Sequence, residues 1–188
     1  QKSNIFGFIR IGESKINELA IRGINQNCTI EVTGCDISVI WLLELSASGL
    51  LRFNDIKCKK SITGQNGFFI EQSDLGKSYF NLIDFSSYTN FCILESSVID
   101  CQFSNITWNK KITVHNKTYL IYDDEAVRGG GLGKQNLLQQ KEVYRQLKYA
   151  TNKQGDHVNE MFFHIKEMNA YNASLNWDWP WTGEFWDK

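Results

Sequence analysis

Residues 68–85 read Phe68-Phe-Ile-Glu-Gln-Ser-Asp-Leu-Gly-Lys-Ser-Tyr-Phe-Asn-Leu-Ile-Asp-Phe85, and their spacing decides the fold. Steps of five from Ile70 land on Leu75, Phe80 and Phe85, and the residues two before each are Phe68, Ser73, Ser78 and Ile83. Every one is apolar or small. Working outward, the same step recurs in Ile11, Ile16 and Ile21, in Val32, Ile37, Leu42 and Ala47, in Phe53 and Cys58, and in Phe91, Ser96, Cys101 and Ile106. Their partners two residues earlier are Ile9, Ser14 and Leu19; Ile30, Cys35, Ile40 and Leu45; Leu51 and Ile56; and Thr89, Leu94, Ile99 and Ser104. Residues i and i−2 of an extended chain point the same way, so each five-residue unit presents two side chains to one interior. A helix would repeat at 3.6 and a plain strand at 2. A β-sandwich of alternating strands has no reason to keep this register.

The phase shifts between 21 and 32, between 47 and 53 and between 85 and 91, roughly every 20 residues, with Gly23, Gly49, Gly64 and Gly67 nearby. That spacing suits a chain wound into coils whose corners need left-handed backbone. Asp36, Asp55, Asp74, Asp84 and Asp100 fall on the other positions of the unit. Stacked coils cover one another's strand edges and share a continuous core. Ser73-Asp74-Leu75, Thr89-Asn90-Phe91 and Ser104-Asn105-Ile106 follow a pattern of small residue, Asn or Asp, then a large apolar residue. In this, residues 5–107 resemble a degenerate form of the pentapeptide-repeat proteins, which implies a right-handed quadrilateral β-helix. The expected fold class is therefore mostly β with α, a right-handed β-helix followed by an antiparallel helical hairpin.

Composition narrows the function classes. The 188 residues carry 20 basic and 21 acidic side chains, a net charge of −1. No basic face for nucleic acid is expected, and the DNA mimicry known among pentapeptide-repeat proteins needs a strongly negative surface that this balance does not supply. The longest apolar run, Val39-Ile-Trp-Leu-Leu43, is far shorter than a membrane span, and no signal-peptide pattern is read at the start. The five cysteines (Cys28, Cys35, Cys58, Cys92, Cys101) form no CxxC pair and lie upstream of His115, His157 and His164, so no metal or cofactor site is expected. Reduced, buried thiols in a cytosolic protein fit that count, and the sequons at Asn27, Asn105, Asn116 and Asn172 occur near the chance rate.

Residues 108–135 read as a short hairpin around His115-Asn116-Lys117 and a glycine-rich connector, Gly129-Gly-Gly-Leu-Gly-Lys134. The latter fails as a phosphate loop, because Arg128 stands where glycine is needed and Gln135 where the magnesium-binding hydroxyl belongs. Residues 136–176 switch to helical spacing. Leu137, Leu138, Tyr144, Leu147 and Ala150 share one face, Gly155 and Asp156 make the turn, and Val158, Met161, Phe162, Ile165 and Met168 form a second stripe. Such a hairpin, similar to a single tetratricopeptide unit, must pack on the β-helix end or on a partner, and an open β-helix end needs covering. His157 and His164 read as surface residues.

Residues 177–188 hold four of the six tryptophans; Trp177, Trp179, Trp181, Phe185 and Trp186 are the candidate interaction residues, suited to a bilayer interface or a protein groove. This order, from degenerate repeats through Tyr144-Arg-Gln-Leu-Lys148 to a Trp-rich end, resembles a group of bacterial membrane-associated pentapeptide-repeat proteins. The resemblance implies a cytoplasmic location at the inner face of the cell membrane. The expected function is a non-enzymatic scaffold that binds a protein partner or self-associates, with no catalytic residue, no nucleic acid and a membrane interface through the tail. The alternative is a carbohydrate-active β-helix, with some of Asp36, Asp55, Asp74 and Asp100, each next to an inward position, aligned across coils.

Overall fold

A computed structural model describes residues 7–59, 66–109 and 132–176. Eight strands, β1 (Gly7–Gly12), β2 (Lys15–Asn25), β3 (Cys28–Ala47), β4 (Leu51–Cys58), β5 (Gly67–Glu71), β6 (Tyr79–Asp84), β7 (Asn90–Leu94) and β8 (Gln102–Thr107), precede helices α1 (Leu132–Lys153) and α2 (His157–Asn176). Every strand pair is parallel, and the chain winds as a β-solenoid of about four turns, as the five-residue spacing requires. One ladder runs β1, the first part of β3, β4, β6, β8; the other runs β2, the second part of β3, β5, β7. A third side is marked by the bridges Ser46↔Asp74 and Asp74↔Ser97.

The coil advance is 21 residues at first (Gly7↔Cys28, Ile30↔Leu51), lengthens to 28 at Val39↔Gly67, and settles at 23 (Tyr79↔Gln102). What stays constant is the corner. Glu13, Gly34, Asp55, Leu82 and Asn105 occupy one column by register, and all are left-handed, with φ of 47°, 63°, 51°, 54° and 53°. Glu44, Gln72 and Glu95 make a second such column, with φ of 49°, 48° and 46°. A single left-handed residue turns the chain between two strand segments and keeps the same face inward on both sides.

The inward residues from Val32 to Phe85 are buried as the spacing predicts, including the small Ser73 and Ser78, except Cys58, which is partly buried. Phe53, Phe80 and Phe103 stack in consecutive coils with centroids 5.4 and 5.3 Å apart. Offset aromatic stacks of this kind add to the area they bury. In the last coil the five-residue phase breaks: Thr89 and Ser104 are exposed and Ile99 is at the surface, while Val98 and Phe103 take the interior. The 23-residue advance moves Ser104 onto the outward column of Thr33, Asn54 and Asn81. Side-chain amides run along that surface: Asn54 donates to Thr33, Asn81 to Asn54, and Asn105, one position on, to Asn81. In the first described coil Ile9 is exposed and Ile11, Ile16, Leu19 and Ile21 are only partly buried, since the described residues place no coil beneath them.

Candidate interaction site

The helical hairpin covers the last coil. Backbone N–H groups at the end of a β-solenoid lack the next strand's carbonyls, and glutamine side chains from α1 supply the replacement. Val98 N–H donates to Gln146 Oε1 (2.9 Å), Phe103 N–H donates to Gln154 Oε1 (2.7 Å), and Gln154 Nε2 donates to the Cys101 carbonyl (3.4 Å). Lys153 pairs with Asp100 at 2.9 Å, which holds the ammonium above its ordinary range. The aromatic column continues from Phe103 to Trp108 (4.9 Å) and from Trp108 edge-on to Phe163 of α2 (5.0 Å). Solenoid and cap thus share one core.

The hairpin turn follows the spacing of its residues. Gly155 takes φ 73° at the end of α1, and Asp156 Oδ1 accepts the Asn159 N–H, capping α2. His157 and Asn152 hydrogen-bond Glu160 across this turn, and His157 above all lowers the Glu160 carboxyl. α1 buries Val143, Tyr144, Leu147, Ala150 and Thr151, while Leu138 stays exposed. α1 begins at Leu132, ahead of the expected Asn136.

α2 does not pack as its apolar stripe suggests. The buried face is Phe163, Glu167, Ala170 and Ser174, with Phe162 partly buried. Glu167 is 5% exposed and satisfied by Lys148 Nζ at 2.6 Å, so an interhelix ion pair is part of the buried face. Val158, Met161, Ile165, Met168 and Leu175 face outward at 81, 59, 53, 36 and 51% exposure, with Tyr171 beside them. Apart from Phe162, which packs beside Phe163, the stripe is therefore turned to the surface. On the covered face Phe163 sets its ring against Trp108, and Glu167, Ala170 and Ser174 follow along the helix.

Trp177, Trp179, Trp181, Phe185 and Trp186 lie outside the described residues, as do His115 and the run from Gly129 to Gly131. Asp36, Asp55, Asp74 and Asp100 stand in four separate columns. Asp36 lies between Lys15 and Lys57, Asp55 between Gly34 and Leu82, Asp74 between Ser46 and Ser97, and Asp100 on Lys153. The expected alignment of carboxylates is not formed by this set. None of the five cysteines is in a disulfide; Cys35, Cys92 and Cys101 are buried, and burial raises the Cys58 and Cys101 thiols. Among the described residues no group of three His, Cys, Asp or Glu is placed to hold a metal, and no helix is long and apolar enough to cross a membrane.

A further surface escaped the sequence reading. Trp41 and Phe69 stack at 4.0 Å on the outward side of β3 and β5, beside a shallow groove of about 400 Å³ lined in part by Glu18, Arg22, Glu44 and Glu71. Burial raises the Glu71 carboxyl above the usual carboxylate range. Alternation within β3 was the available signal, since Trp41 falls between the inward Ile40 and Leu42.

No family model, curated protein or solved structure matches the chain.

Proposed function

We propose that the chain is a non-enzymatic scaffold, a degenerate pentapeptide-repeat solenoid of the bacterial membrane-associated kind whose helical cap docks a protein partner. The observation that carries this reading is the outward row on α2, five large apolar side chains between 36 and 81% exposed on a helix whose opposite face is already packed. Soluble surfaces scatter such residues singly, and a contiguous row is the usual mark of an interaction face. On this reading the protein works at the inner face of the cell membrane, with the Trp-rich residues 177–188 as a second contact. A photo-crosslinking residue placed at Ile165, in cells that make the protein, tests it. A discrete adduct from Ile165, absent from a matched position at Lys77 on the solenoid and lost in Met161→Lys, is expected. No adduct above the Lys77 control contradicts it.

A carbohydrate-active β-helix is the second reading, and the Trp41–Phe69 stack with its flanking carboxylates favours it, because sugar rings lie on aromatic faces beside hydrogen-bonding acids. Retention on an acidic polysaccharide that Trp41→Ala abolishes, or release of reducing ends, would promote it over the first.

A further inference from the structure

The outward row on α2 keeps a stricter period than burial against a globular core demands. Val158, Ile165 and Asn172 are seven apart, and so are Met161, Met168 and Leu175. In heptad terms the first three are a and the second three d, a 3.5-residue seam, narrower than the band a helix shows to a mixed core. Such a seam stays aligned only with another helix of similar length. The buried face, Phe163, Glu167, Ala170 and Ser174, falls at f and c, on the far side of α2, so packing against α1 leaves the seam clear.

We infer that the seam pairs with α2 of a second copy of this chain, parallel and in register. This rests on the docking role proposed above and names the partner. Asn172 sets partner and direction. It is the one polar residue of the seam and is exposed. In a parallel, in-register pair it meets its own copy, and two amides satisfy each other. An antiparallel pair would set it against Met161 and leave a buried amide without a partner, at a cost. A bilayer surface would leave it equally unsatisfied, and the flank offers it one lysine, Lys166, where a membrane helix carries many. The flanking e and g positions raise no like-charge clash. His157, His164 and Tyr171 at g would face Phe162, Asn169 and Asn176 at e of the mate. From Val158 to Leu175 the seam is about 26 Å long, and two helices of that length bury on the order of 1,000 Å², the lower limit of a specific interface. A reversible dimer in the micromolar range follows.

Sedimentation equilibrium of the full chain, from about 1 to 300 μM, tests this together with a photo-crosslinker at Ile165 and peptide mapping of its adduct. A concentration-dependent dimer is expected, cross-linked between the α2 segments of two chains. Ile165→Lys should weaken it at least a hundredfold, and Asn172→Leu should tighten it about tenfold while admitting trimers. A monomer at 300 μM whose Ile165 cross-links a different protein overturns the dimer and leaves the docking role standing. Cross-linking within one chain to residues 177–188 overturns both, since the seam is then an internal contact. A dimer that Ile165→Lys leaves intact also overturns the pairing, as does sedimentation with anionic vesicles in place of self-association.

Discussion

Leu82 occupies a left-handed corner at φ 54°, a conformation that disfavours a branched side chain and that Asn105 tolerates in the same column. Its side chain is 51% exposed, so little packing is lost on replacement. Leu82→Asn should stabilise the fold by about 0.5–1 kcal/mol, read as a rise in urea midpoint, whereas Leu82→Val should lower it. At Glu71 the folded pKa lies above the unfolded one because burial disfavours the charge. The folded state therefore binds the proton more tightly, and stability rises as pH falls from that raised value towards ~4.3. Glu71→Gln should flatten this slope, which urea midpoints collected across that window would reveal. The inward residues were legible one by one because burial follows an alternation that survives the corners. Thr89, Ile99 and Ser104 were misplaced because Phe91 reads as the counterpart of Ile70, whereas the 23-residue coil pairs it with Phe68 and pairs Ile93 with Ile70, which moves each inward position of that coil two residues on.

The two helices were legible as elements, with their turn at Gly155 and Asp156, but not the side that each would bury. On α1 the apolar residues are also the inner ones. On α2 the row from Val158 to Leu175 is the outer one, while Phe163, packed on Trp108, Ala170 and the Lys148–Glu167 pair lie inward. Periodicity reports that a face is apolar; only the shape of the neighbour says which face is covered. The capping glutamines gave no sequence signal either, since a glutamine on a helix surface is ordinarily solvated. Gln146 is a case in point, as it accepts the N–H of Val98, which is fully buried. Gln146→Ala leaves that donor unpaired and should destabilise the chain by about 1–2 kcal/mol. Amide exchange should show the loss in β7 and β8 first, with β2 and the first part of β3 unaffected.

For the molecule as a whole, a column of stacked coils is closed at one end by a helical cap that turns an apolar seam away from the core. Residues 5–107 announced the column, because each coil repeats the same inward pattern with few exceptions. The seam was legible as an apolar stripe, but not whether the β-helix end or a partner would cover it. The candidate residues of the tail lie beyond what the structure describes. Thermal unfolding of the double variant Met161→Lys/Ile165→Lys, at a dilution where association is negligible, tests the outward placement most directly. Both positions are more than half exposed, so the account predicts a midpoint within about 0.5 kcal/mol of the parent. A loss of about 3 kcal/mol or more, the size expected for charge forced into a packed core, would contradict it.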